Sequence, residues 1–135
     1  MARNILGVVG GLVVWLIVTT VAGLVLRATW PDYVRVADVM AFTLPMMIAR
    51  LAIGAVATVA TGAVSARVAR AAIAQLMPGL LLLLFFIPVH ASIWNKFPVW
   101  YHLTFLLTLV PLTYAGNRLG CRSVSGATSL RKLET

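Results

Sequence analysis

Long apolar runs separated by charged residues dominate the sequence. No charged side chain occurs between Arg3 and Arg27, between Arg70 and Lys96, or between Lys96 and Arg118. A transmembrane helix needs about 20 mostly apolar residues, because the hydrocarbon core is about 30 Å thick and a helix rises about 1.5 Å per residue. Each of these three runs is therefore long enough to cross a bilayer.

A fourth apolar stretch, 39–66, is interrupted only by Arg50. The pattern predicts four transmembrane helices, at about 5–27, 40–67, 74–94 and 98–118, joined by short loops in a single domain over 1–118. The first run exceeds the roughly 7–15 apolar residues of a signal peptide, which favours a span over a cleaved leader. Pro78 and Gly79 favour the true start of the third helix over a kink, and Pro98 suits the first turn of the fourth. The basic, polar tail that follows, 119–135, is expected to be disordered.

The distribution of Lys and Arg predicts the orientation. With a cytosolic N-terminus, seven basic residues fall on the cytosolic side and three on the far side. Because cytosolic loops carry an excess of Lys and Arg, both termini are expected in the cytosol. The residues counted are Arg3, Arg67, Arg70, Arg118, Arg122, Arg131 and Lys132 on the cytosolic side, and Arg27, Arg35 and Lys96 on the other.

Composition agrees with an all-α membrane protein, a compact four-helix transmembrane bundle. Hydrophobic residues make up 61% of the 135 and charged residues only 10%, against about 25% charged in soluble domains. The net charge of +8 is scattered between apolar runs, which fits contacts with the lipid bilayer and its anionic headgroups and argues against nucleic acid as a partner. Nine Arg against two Lys hint at a GC-rich bacterial genome, hence the bacterial cytoplasmic (inner) membrane. The single cysteine, Cys121, excludes a disulfide within the chain.

Small residues recur along one face of the second predicted helix. Gly54, Thr58 and Gly62 follow one another at four-residue spacing, and Gly7 and Gly11 do so in the first helix. Small residues let helices approach closely inside lipid, where close packing is the main attraction. The pattern predicts a helix-packing face, used either within the chain or as the seam of a homo-oligomer.

Arg50 is the one charged residue inside a predicted span. A charge there costs about 2.5–3.5 kcal/mol on insertion scales and is a functional hypothesis by default. If the helix begins near residue 39, Arg50 lies roughly 16 Å deep, and if it effectively begins at Pro45, roughly 8 Å. Two interpretations stay open: Arg50 extends to the outer headgroups, or it faces inward with a partner, for which Asp32 and Asp38 are the acidic candidates on that side.

His90 and His102 flank the loop between the third and fourth helices. Antiparallel neighbours place them at similar depth, roughly 6–8 Å below the surface. Two facing histidines could serve as proton relay or ligate a metal or haem iron, but no Cys, Asp or Glu lies nearby in sequence to complete a site. Hydrogen bonds to backbone, to Thr104 or to water are the favoured interpretation, and neither a metal nor another cofactor is expected.

These residues predict one candidate site in the outer half of the protein. Its members would hold an anionic lipid headgroup or a small anion, and they are Arg50, His90, His102, Tyr101 and Trp94.

The sequence carries no catalytic constellation, so an enzyme is not expected. The favoured function is a non-enzymatic structural, accessory or interaction subunit, with a homo-oligomer or another membrane protein as a possible partner. The alternatives are a small oligomeric transporter or channel for a small or anionic solute and, third, a cofactor-bearing membrane anchor. The specific function is not encoded in any motif we recognise.

Overall fold

The protein is helical throughout the part of the chain that its computed structural model describes, namely the backbone of residues 1–133 and the side chains of residues 1–121. The order is α1 (Ala2–Thr29), α2 (Pro31–Ala37), α3 (Leu44–Val68), α4 (Ala72–Ser92), a 3₁₀ turn (Trp94–Lys96) and α5 (Val99–Leu133). No strand occurs in the described backbone. The predicted all-α class is confirmed.

Three helices, α1, α3 and α4, are long and apolar enough to cross a membrane among the residues described. They correspond to the first three predicted spans, and the fourth predicted span, 98–118, matches the first part of α5, which begins one residue later at Val99. These three helices support the prediction that the chain is an integral membrane protein. α5 continues past residue 118 to Leu133. Since side chains from residue 122 on lie outside the described residues, the predicted disorder of the tail, 119–135, stays a prediction.

The second span starts later than predicted, and the third helix starts two residues before its predicted start at about 74, so Pro78 does not mark its beginning. The second span starts at Leu44, not near residue 40, because the backbone turns at Met40, which has a positive φ of 56°. The third helix starts at Ala72, one turn and more before Pro78, which lies inside it. In lipid, neighbouring helices can satisfy the backbone group that such a proline leaves free.

α3 is the central helix. It packs along α5 on one side and α1 on the other, and α4 contacts all three. α1 and α5 therefore lie on opposite sides of the α3–α4 pair. The short helix α2 packs against α1 at the end of the molecule where α4 joins α5, and we call this the α2 end.

Glycines on both partners bring α3 and α5 into backbone contact. A Cβ added at Gly62 would strike the carbonyl of Thr113, and one at Gly116 the carbonyl of Val59. The predicted packing residues Gly54, Thr58, Gly62, Gly7 and Gly11 all lie at contacts between helices of this chain. This placement favours the interpretation of packing within the chain over a seam between copies.

Many polar side chains lie inside the described part of the protein, and many large apolar ones lie outside. Leu84 is 69% exposed and Leu107 70%. The buried polar residues are Thr58, Thr61, Ser65, His90, His102, Thr113 and Asn117. Such a distribution would drive aggregation in water, whereas lipid covers the apolar surface without that cost.

Candidate functional site

Arg50 lies on the inner side of α3, about 9 Å from the helix start at a rise of about 1.5 Å per residue. Its Nη1 donates to the hydroxyl of Tyr33 at 2.6 Å, and its Nε to the hydroxyl of Tyr101 at 3.3 Å. The guanidinium also lies over the ring of Phe42, 4.8 Å from its centroid. This geometry matches the inward-facing interpretation, but the partners are hydroxyls and an aromatic ring.

The acidic candidates do not reach this arginine. Asp32 pairs with Arg35 at 2.8 Å on the exposed side of α2, and Asp38 is exposed. α2 begins with Pro31 in its first turn, which suits a helix start. The short helix buries Tyr33 against the body of the protein while its charged pair faces outward. In place of a salt bridge to Asp32 or Asp38, Arg50 makes charge-assisted hydrogen bonds to neutral hydroxyl groups.

The two histidines contact each other directly. Their Nδ1 atoms are 2.8 Å apart, and both side chains are buried, His90 to 5% exposure and His102 to 0%. His102 Nε2 lies 3.3 Å from the backbone carbonyl of Trp94, whose ring stacks on the His102 ring at 4.7 Å. A backbone partner was the favoured interpretation for these residues, and His102 has one.

Aromatic contacts join the histidine pair to the arginine. The His90 ring stacks on Phe105 at 4.8 Å between centroids and on Tyr101 at 6.1 Å, and Tyr101 accepts the hydrogen bond from Arg50. All five predicted site residues therefore belong to one connected cluster. Their role in binding stays a prediction.

A cavity opens beside this cluster and has two lobes. The deep lobe, about 230 Å³, is lined by Arg50, His90 and Tyr101 together with apolar groups that include Trp15. The shallow lobe, about 420 Å³, extends toward the α2 end and includes Arg27. Five residues line both lobes, so the two lobes adjoin: Thr19, Gly23, Tyr33, Arg50 and Ile93. His102 and Trp94 line neither lobe. His102 contacts His90, and Trp94 stacks on His102.

Two residues that line the cavity each have an accessible polar atom without a partner. Within the described side chains, Arg50 Nη2 donates to no acceptor and His90 Nε2 has no hydrogen-bond partner. Neither belongs to the fully buried atoms without a partner, a set that holds only Asn117 Oδ1 in the described region. Both atoms are therefore accessible. Neither lobe has an Asp or Glu among its lining residues, so the charge of Arg50 meets no carboxylate there.

Beneath the deep lobe, α1 and α3 pack closely against each other. Trp15 Nε1 donates to the hydroxyl of Thr58 at 3.3 Å, beneath the deep lobe. Beyond it, Thr58 and Thr61 are 0% exposed, and their hydroxyls bond helix carbonyls. The cavity therefore ends near the middle of α3.

The described residues include no group of three or more His, Cys, Asp or Glu side chains placed to hold a metal ion. The Nδ1 atoms of the histidines are engaged with each other. The arrangement thus offers hydrogen bonds and a positive charge to a ligand.

Sequence reasoning missed two members of the site. They are Tyr33 and Phe42, which contact the Arg50 guanidinium. A sequence signal for both exists. Tyr33 is an aromatic residue in the first turn of α2, the helix before the one that carries Arg50, and Phe42 lies just before the first turn of α3. Only their distance from the guanidinium shows that they surround it.

Searches against protein-family models, curated proteins and solved structures found no match. The interpretation of the site therefore depends on its own geometry.

Proposed function

We propose that the chain is a non-enzymatic binding or accessory subunit of the bacterial inner membrane, whose cavity binds an anionic group. In this proposal α1, α3, α4 and the first part of α5 form a four-helix transmembrane bundle. The excess of Lys and Arg at the end opposite α2 supports cytosolic termini. The cavity then opens toward the outer surface.

The packing of α5 supports a fourth span. Gly54 of α3 contacts Phe105 of α5, and Gly120 of α5 contacts Ala63 of α3. The two helices therefore run side by side over most of the length of α3, which is one of the helices apolar enough to cross. A helix that follows a spanning neighbour over this distance shares its depth. Its exposed residues at that depth include Leu103 and Leu107, which suit lipid.

The observation that carries the binding proposal is the uncompensated charge of Arg50. A charge within a span is costly, and such residues pair with a counter-charge or line a functional cavity. Here the partners of Arg50 are Tyr33, Tyr101 and the ring of Phe42, all neutral. Each tyrosine hydroxyl accepts from Arg50 and keeps its own proton for donation. The cavity therefore offers several donors around one positive charge, which suits an oxyanion.

Arg27 adds a second positive charge at the mouth of the cavity. It is exposed, lies in the last turn of α1 and lines the shallow lobe. Anions are attracted to such a position before they reach Arg50. The close packing beneath Trp15 and Thr58 favours a binding site with one entrance over a conducting path, the transporter or channel alternative.

Thermal unfolding in a neutral detergent tests this proposal. Phosphatidylglycerol or inorganic phosphate should raise the unfolding temperature, because a ligand that binds only the folded state stabilises it by about 2.7 kcal/mol at a hundredfold excess over its Kd. Phosphatidylcholine and sodium chloride at matched ionic strength should not. The Arg50→Gln variant should lose the increase.

Two glycines of α1 provide a matched pair for blocking the cavity. A Cβ at Gly23, which lines both lobes, would meet no atom within 4 Å, and one at Gly10 would meet its first neighbour at 4.0 Å. Gly23→Leu should therefore fill the cavity without disturbing the fold and abolish the response to the anion, while Gly10→Leu should keep it. An unchanged response in both Arg50→Gln and Gly23→Leu would refute the proposed function.

A further inference from the structure

The tautomer of His102 follows from its backbone contact. The carbonyl oxygen of Trp94 can only accept a hydrogen bond, so His102 Nε2, 3.3 Å away, carries a proton. A second proton on this ring would place another charge in a buried aromatic setting that already contains Arg50, which is unfavourable. His102 is therefore neutral, and its Nδ1 presents a lone pair.

The protonation of His90 follows from that of His102. The two Nδ1 atoms lie 2.8 Å apart, a distance that requires one proton between them. Since His102 Nδ1 accepts, His90 Nδ1 donates. The neutral His90 ring then has its remaining lone pair on Nε2. This atom has no partner within the described residues and is accessible at the deep lobe.

We propose that His90 Nε2 accepts a hydrogen bond from the ligand, so that the site selects an oxyanion carrying a hydroxyl group over one that has none. Arg50 and the two tyrosine hydroxyls supply donors for the anionic oxygens, and His90 supplies the complementary acceptor for the ligand's O–H. Hydrogen phosphate and an anionic lipid headgroup with free hydroxyls share this chemistry. The inference builds on the proposed anion binding and adds its selectivity.

An accessible acceptor in a cavity distinguishes between anions, because an anion without a hydroxyl group leaves it without a hydrogen bond. Water is displaced when the cavity fills, and a ligand without a donor then leaves Nε2 unpaired. A neutral hydrogen bond of this kind corresponds to a preference of roughly threefold to tenfold in Kd. Among the other polar groups that line the deep lobe, Arg50 can only donate and the two tyrosine hydroxyls already accept from it, whereas His90 Nε2 has an unused lone pair.

Two pairs of probes test the selectivity in the detergent-solubilised full chain. Phosphatidylglycerol has two hydroxyls on its headgroup, and phosphatidylmethanol has the same charge and none. Inorganic phosphate near neutral pH has a P–OH group, and sulfate has none. Apparent Kd values from the rise in unfolding temperature should favour the hydroxyl-bearing member about threefold to tenfold. The pair that shows binding identifies the source as lipid or free anion.

The two histidines provide contrasting variants. His90→Phe keeps an aromatic ring against Phe105 and Tyr101 but has no nitrogen, so it should bind both members of a pair equally. His102→Asn keeps an acceptor for the His90 Nδ1 proton, so it should retain the preference. Because the readout is a ratio between ligands within one variant, a change in baseline stability does not affect it.

The outcomes separate this inference from the proposed function. Equal binding of both members by the unmodified protein, still lost in Arg50→Gln, would overturn the role of His90 and leave anion binding intact. Equal loss of preference in His90→Phe and His102→Asn would also overturn it, because it would indicate a structural role. Absence of binding by all four probes would overturn both proposals. The comparison in the unmodified protein decides the question even if a variant does not fold.

Discussion

At the scale of single residues, the hydroxyl groups around Arg50 are the decisive feature. A carboxylate would neutralise the guanidinium and close the site to anions. Tyr33 and Tyr101 hold the charge in place without neutralising it, and Phe42 covers one face. The same contacts tie together three parts of the chain, since Tyr33 belongs to α2, Arg50 to α3 and Tyr101 to α5. The arginine is thus a structural link as well as the proposed binding group.

The tyrosine pair yields a prediction about α2. Tyr33→Phe removes the shorter bond, 2.6 Å, and Tyr101→Phe the longer one, 3.3 Å. A bond to a charged group contributes about 1.5–3 kcal/mol, and less where the guanidinium is partly exposed. Tyr33→Phe should accelerate amide hydrogen exchange over Pro31–Ala37, because it frees α2 from α3, while Tyr101→Phe should leave that segment protected. Equal exchange in the two variants would contradict the assigned link.

At the scale of helices, close backbone contact between α3 and α5 organises the fold. Gly62 on α3 and Gly116 on α5 each face a carbonyl of the other helix. Without a hydrophobic driving force between helices in lipid, such contacts provide much of the attraction. The contact between α3 and α5 also sets the position of the site, because it fixes the depth of Tyr101 and His102 on α5 relative to Arg50 on α3.

The contact between α3 and α5 leads to a stability prediction, for which a substitution at Gly10 is the control. Alanine favours a helix over glycine by about 1 kcal/mol, but overpacking a tight contact costs about 1–3 kcal/mol. Because a Cβ at Gly62 would strike backbone, the overpacking cost should lie in the upper part of this range, about 2–3 kcal/mol, so that after the helix gain Gly62→Ala should lower the free energy of unfolding by about 1–2 kcal/mol. Gly10→Ala, which meets its first atom at 4.0 Å, should not lower it. Reversible unfolding in SDS measures both, and a Gly62→Ala variant as stable as Gly10→Ala would refute the close contact.

At the scale of the whole molecule, the distribution of polar and apolar side chains differs from that of a soluble protein. Large apolar side chains cover the outside of the long helices, and hydroxyl, imidazole and amide groups lie inside. Lipid, not water, is the solvent that suits this surface. In the proposed bundle, the charged ends of the helices then determine which end faces the cytosol.

Cysteine labelling tests that orientation. In a Cys121→Ser background, Asn95→Cys lies in the connection between α4 and α5, and Ala72→Cys at the opposite end of α4, and both positions are exposed. With cytosolic termini, a membrane-impermeant maleimide should label Asn95→Cys in intact cells and Ala72→Cys only after permeabilisation. The reverse pattern would place the cavity mouth on the cytosolic side and invert the topology.

The sequence by itself determined the helical class, the positions of the apolar runs and the residues that stand out within them. These follow from composition and from the length of helix needed to cross lipid, both of which are local along the chain. Arg50, His90 and His102 were recognisable because polar groups are costly in such runs. Gly62 was recognisable by its spacing, but its partner glycine on α5 was not.

Only the tertiary structure decided what these residues contact. The partners of Arg50 lie 17 and 51 positions away in sequence, on helices whose rotation no local pattern specifies. The turn at Met40 moved the start of α3. The packing of α3 with α5 brought Tyr101 to Arg50, and that of α4 with α5 brought His102 to His90. Side-chain contacts between helices depend on their relative rotation and depth, which packing of the whole chain sets. That is why Arg50, Tyr101 and the two histidines could be named from the sequence, while their contacts and the other neutral partners of Arg50, Tyr33 and Phe42, could not.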